Sequence, residues 1–119
     1  MTLKMSTRLL DGIVVLDCSG RIVFGEETNA LRETVKTLLS ETNQIVLNLG
    51  EVNYIDSGGL GTLVGLYTSA RAGGGSIKLA NLTQRVGDLL QVTKLVTVFD
   101  VYAGEDKAVR AFRRRAGAA

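Results

Sequence analysis

The length and composition of the chain are those of one ordinary globular domain. Its 119 residues are enough to bury a single core without disulfides or metal, and 45% hydrophobic with 22% charged residues excludes the disordered and membrane-spanning classes. The net charge is only +2, so we expect no direct binding of nucleic acid. We interpret the one basic cluster as a favourable charge at a helix C-terminus or a solvated tail: Arg110, Arg113, Arg114 and Arg115.

The cysteine and histidine counts and the apolar segments bear on cofactors and compartment. The single cysteine, Cys18, cannot pair within one chain, and the sequence has no histidine, so it predicts no disulfide, metal site or other cofactor. The N-terminal residues lack the apolar run and cleavage site of a secretory signal. The longest uncharged stretch, Ser57 to Ala70, is shorter than the about 20 apolar residues that a membrane helix needs. The sequence therefore predicts a cytoplasmic protein, a single domain over residues 1–119, without a membrane span.

The N-terminal half predicts a hairpin, a helix and a central strand. Two extended runs, Lys4–Leu10 and Ile13–Cys18, flank an Asp-Gly pair that is typical of a tight hairpin turn, because glycine readily adopts a positive φ. Next, Ile45–Leu49 is short and nearly all apolar, the pattern of a central strand covered on both faces. Between them, apolar residues at helical spacing predict an amphipathic helix packed on a sheet: Leu31, Val35, Leu38 and Leu39.

The C-terminal half alternates helices and strands. A second helix follows the central strand and carries an apolar stripe of Leu60, Leu63, Val64 and Tyr67. Beyond it the pattern predicts a strand, a helix, a strand and a last helix, at Ser76–Ala80, Leu82–Gln91, Thr97–Tyr102 and Glu105–Arg115. Such alternation is typical of parallel strands joined by right-handed crossovers. We predict an α/β fold with a mixed sheet of four to five strands, about four helices, an antiparallel N-terminal hairpin and parallel later strands.

The residues between the central strand and the second helix form the leading candidate site. Asp56, Ser57, Gly58 and Gly59 fall at the carboxyl end of a strand and the amino end of a helix, where open α/β sheets usually place their sites. Asp and Ser are also good N-cap residues, because a side-chain oxygen can accept a hydrogen bond from a free N–H of the first turn. From these residues alone, simple capping and a functional role both stay open.

Two glycines inside the second helix favour the functional interpretation. Gly61 and Gly65 each cost roughly 1 kcal/mol relative to alanine in a helix interior. With Gly58 and Ser69 they gather on one side of the helical wheel, away from the apolar stripe. They serve either close packing within the domain or a smooth face that a partner's backbone can approach. Their position away from the stripe favours the smooth face.

Ser57 is the candidate for phosphorylation. The N–H groups and dipole at a helix N-terminus tolerate a nearby anion of about −2 charge, so we expect the modification to leave the fold intact. The phosphate would add bulk and negative charge at the edge of the glycine face and weaken a docked partner. One residue would then provide a two-state switch.

The same residues carry a family resemblance that covers essentially the whole chain. Ile45–Leu49, followed by the run Tyr54-Ile55-Asp56-Ser57-Gly58-Gly59-Leu60-Gly61-Thr62-Leu63, resembles the signature of the STAS domain of anti-sigma-factor antagonists, and the order of elements matches. The resemblance implies partner switching. The form unphosphorylated at Ser57 would bind an anti-sigma factor that is also a serine kinase, which frees the sigma factor. Phosphorylation of Ser57 would end that complex, and a metal-dependent serine phosphatase would restore it.

The loop Gly20–Gly25 departs from the family pattern. Many antagonists carry an acidic residue soon after the first glycine, whereas this chain has Val23 and Phe24 there, with Glu26 and Glu27 following. An exposed Phe24 would anchor a partner; the alternative is a core-facing aromatic at the start of a helix. The residues expected to contact the partner are Asp56, Ser57, Gly58, Gly59, Gly61, Thr62, Gly65 and Phe24.

Two alternatives differ from partner switching. A serine at a glycine-bordered strand-to-helix turn is also typical of a hydrolase nucleophile, but the chain has no histidine to activate it, and a Ser-Lys pair would need a lysine such as Lys78 close to Ser57. The glycine run also lacks the lysine and spacing of a phosphate-binding loop. We therefore predict no enzyme activity and no catalytic residue. The second alternative is a STAS accessory subunit of a stress-signalling assembly or lipid transporter that is never phosphorylated.

Overall fold

A computed structural model describes residues 3–117 of the chain, with side chains to Arg113, and within them are five strands and four α-helices. The strands are β1 (Leu3–Leu10), β2 (Ile13–Ile22), β3 (Gln44–Ile55), β4 (Ser76–Ala80) and β5 (Asp100–Tyr102). The helices are α1 (Glu26–Leu39), α2 (Ser57–Ala72), α3 (Gln84–Val92) and α4 (Glu105–Gly117). No helix among the described residues is long and apolar enough to span a membrane.

The five strands form one mixed sheet whose spatial order is the chain order, β1-β2-β3-β4-β5. The β1 and β2 strands are antiparallel, and every later pairing is parallel. At the hairpin, Asp11 and Gly12 both have positive φ, 52° and 82°, as a tight turn between twisted strands requires. The predicted fold class is confirmed, including the hairpin, the parallel later strands and the four helices.

Helices cover both faces of the sheet. The side chains of β3 alternate: Ile45, Leu47 and Leu49 lie in a large core with α1, α2 and α3, whereas Val46 lies in a smaller core under α4. This alternation follows from the two-residue period of a strand. Since β3 is buried on both faces, the nearly unbroken apolar run at its start is explained, and the prediction of a central strand is confirmed.

The ends of β2 and β3 bring the candidate site together. Both strands are longer than predicted. The β2 strand continues to Ile22, into the segment predicted as a connection, and β3 continues to Ile55. Ile22 and Ile55 are partners in the parallel pairing of the two strands. Because the strands end side by side, the loop that follows β2 lies next to the start of α2, which follows β3. Residues distant in the sequence thus meet at the carboxyl edge of the sheet.

The last strand is shorter than predicted. Residues 95–97, where the predicted strand Thr97–Tyr102 begins, form a 3-10 turn instead. Lys94 adopts a left-handed backbone conformation, with φ 65°. This conformation cannot continue a right-handed helix, so the chain turns after α3 and the 3-10 turn begins. The segment after the turn buries Phe99 edge-on against Tyr67 of α2, with ring centroids 5.5 Å apart. The apolar pattern therefore reflects packing of an aromatic side chain rather than strand pairing.

Charged side chains on the α4 face of the sheet are paired within the protein. Lys78 of β4 is only 2% exposed, and its Nζ lies 3.3 Å from Asp100 Oδ2 and 4.6 Å from the centre of the Phe112 ring. On β1, Arg8 donates hydrogen bonds to Asp17, and this bond holds the pKa of the Asp17 carboxyl below its usual value. The α4 helix thus packs over compensated charges.

The predicted arginine cluster lies on α4. Arg110 forms an exposed ion pair with Asp106 one turn earlier, at 3.6 Å, and Arg113 donates to the carbonyl oxygen of Asp11 at 3.1 Å. The side chains of Arg114 and Arg115 lie outside the described residues. The described part of the cluster therefore makes contacts within the chain, one of them to the distant β1–β2 turn.

Candidate partner-binding site

Asp56 joins the start of α2 to the loop after β2. It is the N-cap residue of α2, and its Oδ1 accepts a hydrogen bond from the Gly59 N–H at 2.8 Å. The same carboxylate accepts the N–H of Phe24, at 3.1 Å to Oδ2. These hydrogen bonds, from Gly59 foremost and then Phe24, lower the pKa of Asp56 because they stabilise the charged carboxylate. Asp56 therefore holds the loop and the helix start in a fixed arrangement.

Ser57 is the first residue of α2, and its side chain is exposed. Because the capping position belongs to Asp56, the capping interpretation holds for the aspartate and not for the serine. Among the described residues, the Ser57 hydroxyl has no hydrogen-bond partner. A group added to this hydroxyl would therefore displace no internal contact.

Phe24 projects from the loop between β2 and α1 and is 79% exposed. The core-facing alternative for this residue is therefore wrong. The loop lies so close to α2 that a Cβ added at Gly58 would come within 2.6 Å of the Phe24 Cβ. The absence of a side chain at Gly58 thus permits the exposed aromatic ring to stand directly beside the start of α2.

The other glycines of α2 divide into two groups. Gly59 is buried, and a Cβ there would lie 2.1 Å from the carbonyl oxygen of Ile22, so this glycine permits the close approach of α2 to the end of β2. Gly61 and Gly65 are exposed, and a Cβ at either one would meet nothing within 4 Å. For Gly61 and Gly65 the open surface therefore agrees with the structure, and close packing within the domain does not. Close packing is instead the role of Gly59, which was not part of that predicted face.

The open glycines line a groove of about 360 Å³ between α1 and α2, which we call the α1–α2 groove. Its lining includes Arg32 and Lys36 from α1, Phe24 from the loop, and Gly58, Gly61, Thr62 and Gly65 from α2. The groove is thus bordered by an exposed aromatic ring and two cations over a wall with few side chains.

Thr62 connects the two helices inside this groove. Its hydroxyl donates to the carbonyl oxygen of Gly58 at 2.9 Å and accepts a hydrogen bond from Arg32 Nη2 at 3.3 Å. Thr62 is itself buried, so its contribution to a partner contact is limited to the small part of its side chain that lines the groove. The bond from Arg32 directs that guanidinium across the groove toward α2.

The predicted contact residues fall together at this groove, and its two charged residues were not predicted as contacts. Asp56, Ser57 and Gly59 lie at the start of α2, and the other five predicted residues line the groove. Arg32 and Lys36 were missed, because charged residues on an amphipathic helix are usually a solvated face. Their spacing of four residues, which places both on one side of α1, was the available signal.

The described residues around Ser57 offer little for catalysis. Lys78, the lysine considered as a partner for a Ser57 nucleophile, is buried under α4 and paired with Asp100, on the face of the sheet opposite α2. Within residues 3–117 no three Asp, Glu or Cys side chains are grouped as metal ligands. Burial raises the pKa of the Cys18 thiol to about 12, so this thiol is protonated at neutral pH.

Comparisons with known proteins agree on the class of protein. The family model described as the STAS domain matches residues 4–108. The chain is 35% identical over 80 residues to the anti-sigma-B factor antagonist of Bacillus subtilis (strain 168), which covers 67% of this chain and 73% of that protein. The crystal structure of an anti-sigma factor antagonist from Mycobacterium paratuberculosis superposes with a TM-score of 0.80 at 23% identity, over 94% of this chain and 95% of that one.

A third relative, the anti-sigma factor antagonist SpoIIAA of Bacillus, has been solved in two forms. The unphosphorylated form superposes with a TM-score of 0.69 and the phosphorylated form with 0.67, each at 18% identity over 92% of this chain and 98% of that one. At such identities the structural matches show the shared fold. The chain belongs to the STAS domain family. The three relatives described above are anti-sigma factor antagonists.

Proposed function

We propose that this chain is an anti-sigma factor antagonist controlled by phosphorylation of Ser57. The unphosphorylated form binds, in the cytoplasm, an anti-sigma factor with serine kinase activity, and the sigma factor is released. Phosphorylation of Ser57 by that kinase ends the complex, and a serine phosphatase restores it. The observation that carries the proposal is the exposed Ser57 hydroxyl, which has no hydrogen-bond partner among the described residues and directly precedes the groove residue Gly58.

The start of α2 suits a phosphate that changes binding without unfolding the chain. Asp56 already caps the helix, so the Ser57 hydroxyl is not needed for the fold. A phosphoryl group carries about −1.5 to −2 charge at neutral pH, and the N–H groups of a helix N-terminus offset part of it. The remaining charge would stand next to the ionised Asp56 carboxylate, and together they would repel an anionic partner surface.

The proposed contact surface has a fixed part and an open part. Asp56 and Gly59 hold α2 against the end of β2. Their role in binding is therefore indirect, since they fix the positions of Ser57 and Phe24, which face the partner. Phe24 offers an exposed ring as an anchor, and aromatic anchors often dominate binding energy at interfaces. Gly58, Gly61, Thr62 and Gly65 form the wall along which the partner's backbone approaches.

Two relatives support the proposal. The Bacillus subtilis relative is an antagonist of anti-sigma-B factor, and SpoIIAA is an antagonist that exists in an unphosphorylated and a phosphorylated form. A serine that is free on the surface of this chain makes the same chemistry available to it.

The test begins with intact-mass spectrometry of the protein isolated from its native cells, with peptide mapping across residues 52–71. We expect phosphate on Ser57 in part of the population. A column of the Ser57→Ala chain should retain a serine kinase, and a Ser57→Asp column should not. Thr68→Asp is the matched control, since it adds the same charge at another exposed hydroxyl of α2 and should leave retention unchanged.

The opposite result has a defined meaning. Complete absence of phosphate under several growth and stress conditions, together with retention by Ser57→Asp as strong as by the unmodified chain, would contradict the switch. The accessory-subunit alternative would then be favoured, and the chain should co-purify with a larger assembly whatever residue stands at position 57.

A further inference from the structure

The two walls of the α1–α2 groove differ in chemistry. From α1 come two cations, Arg32 and Lys36, which lie one helical turn apart on the same side of the helix. From α2 come glycine, threonine, leucine and serine residues, and no acidic side chain of the described residues lines the groove. The groove therefore presents positive charge along one wall and exposed backbone along the other.

These two cations lack a carboxylate partner within the described residues. Arg32 donates from Nη1 to the Asn29 amide oxygen at 2.9 Å and from Nη2 to the Thr62 hydroxyl at 3.3 Å, and both acceptors are neutral. With the side chains described in residues 3–113, neither Arg32 nor Lys36 forms a salt bridge, whereas Arg8 and Lys78 elsewhere in the fold both do. Arg32 is thus held in orientation across the groove with its charge uncompensated.

We infer that the α1–α2 groove takes an acidic helical segment of the partner protein. Carboxylates one turn apart on that segment pair with Arg32 and Lys36, while its backbone passes over Gly61 and Gly65, where no side chain of this chain intervenes. The inference is based on charge complementarity at the groove. It rests on the proposed function for the identity of the partner, which is the same anti-sigma factor.

An acidic occupant gives the Ser57 switch an electrostatic basis. Arg32 and Lys36 supply two positive charges, and a phosphoryl group supplies about −1.5 to −2 at neutral pH. Ser57 directly precedes Gly58, so its phosphate would stand at the border of the groove. Phosphorylation would nearly cancel the charge that attracts the segment.

The experiment uses the full chain, labelled with ¹⁵N, and two synthetic alanine-rich helical peptides of equal length. One peptide carries glutamates at i and i+4 positions, and the other carries lysines at the same positions. We expect the glutamate peptide to shift the amide signals of Arg32, Lys36, Gly61 and Gly65, and the lysine peptide to leave them in place. Ser57→Asp should weaken binding of the glutamate peptide.

Variants distinguish the groove from general charge attraction. The double variant Arg32→Gln/Lys36→Gln should weaken binding of the glutamate peptide about five-fold for each cation removed, the upper end of what an exposed ion pair contributes. Arg85→Gln/Lys107→Gln is the control, because it removes two exposed cations away from the groove and should leave the affinity unchanged. An otherwise unaltered amide spectrum shows that each variant is folded.

Three results would overturn the inference: equal shifts from both peptides, shifts outside the groove, or no shift at all. None of these depends on a kinase, so the groove and the proposed function fail separately. If Ser57 is phosphorylated but the chain does not prefer the glutamate peptide, the inference of an acidic segment is wrong and the proposed phosphorylation switch is retained. If the glutamate peptide binds in the groove but the chain is never phosphorylated, the inference about the groove is supported and the proposed phosphorylation switch is wrong.

Discussion

The α4 face of the sheet and the α1–α2 groove differ in how their cationic side chains are paired. Under α4, Lys78 is buried, paired with Asp100 and surrounded by aromatic rings. In the groove, Arg32 and Lys36 have no carboxylate partner among the described residues. The Lys78 charge is therefore paired within the fold, whereas the inferred acidic segment would supply the carboxylates for Arg32 and Lys36.

Glycines show the same contrast. Gly59 occupies a position where a Cβ would collide with the backbone of β2, so the fold itself requires glycine. Gly61 occupies an exposed helix interior where alanine would fit and would favour the helix. The space around an added Cβ therefore distinguishes glycines that the fold requires from glycines that it merely tolerates. Two of the second kind, Gly61 and Gly65, lie at the candidate site.

Gly59→Ala should give the largest effect and tests the closed side of this contrast. The added methyl would lie 2.1 Å from the Ile22 carbonyl oxygen, and relief requires movement of backbone. We expect a loss of about 3 kcal/mol in the free energy of unfolding, at the upper end of overpacking costs. Urea unfolding measures it. Gly87→Ala, at an open position inside α3, is the control and should raise the free energy of unfolding by about 1 kcal/mol, because alanine is favoured in a helix interior. Equal stability of the two variants would contradict the close approach.

Asp100→Ala tests whether the pairing of Lys78 matters. Removal of one partner leaves a buried ammonium uncompensated, which costs about 3–5 kcal/mol for a fully buried pair. Since the Asp100 side chain is 30% exposed, water replaces part of the interaction, and we expect a loss of about 2 kcal/mol in the free energy of unfolding.

Two further variants sharpen this measurement. Lys78→Met removes the charge itself and should be nearly neutral, because the methionine fills the same apolar surroundings. Asp106→Ala breaks an exposed ion pair with Arg110 and should change the free energy of unfolding by less than about 1 kcal/mol. The account of the α4 face is wrong if Asp100→Ala is as mild as Asp106→Ala.

Gly61→Ala tests the open side and should have opposite effects on stability and binding. Alanine is favoured over glycine in a helix interior by about 1 kcal/mol, and nothing obstructs the methyl, so the free energy of unfolding should rise by about that amount. The affinity for the anti-sigma factor retained by the Ser57→Ala column should fall, because the methyl occupies the proposed path of the partner's backbone. Destabilisation by this variant would show that the position is not open.

The pH dependence at Asp56 should be the smallest effect. Its pKa in the folded chain lies below the unfolded value of 3.8, because the Gly59 and Phe24 N–H groups stabilise the carboxylate. The stabilisation is therefore complete above the unfolded pKa and is lost as the pH falls through the folded pKa. Amide exchange at Phe24 and Gly59 should accelerate, relative to the rest of α2, as the pH falls below about 4. In Asp56→Asn this local acceleration should be absent; its persistence would contradict the assignment to Asp56.

Local chemistry made much of the fold predictable. The hairpin follows from one Asp-Gly pair, and the central strand follows from the apolar run Ile45–Leu49, since both signals reside in neighbouring residues. The start of β5 was not predictable in this way. Phe99, just before β5, packs on Tyr67 of α2 instead of extending the strand, and an apolar run alone does not distinguish a strand from a packed turn.

In the candidate site, too, the features set by neighbouring residues were predictable and those set by tertiary packing were not. Asp56, Ser57 and the glycines stood out because their types and positions are unusual for the start and interior of a helix. The separate roles of Gly59 and Gly61 depend on where β2 ends, which a helical wheel does not contain. The contribution of Arg32 depends on the packing of two helices that are distant in the sequence, so only the fold brings it to the groove.

The central claim is that phosphate on Ser57 changes binding and leaves the fold intact. The most direct measurement compares the phosphorylated and unphosphorylated chain in affinity for the anti-sigma factor retained by Ser57→Ala, with thermal unfolding of both forms. We predict at least about a ten-fold loss of affinity, a change of 1.4 kcal/mol or more in binding free energy, with nearly equal unfolding temperatures. Equal affinity of the two forms, or a loss of affinity accompanied by unfolding of the phosphorylated chain, would contradict the account.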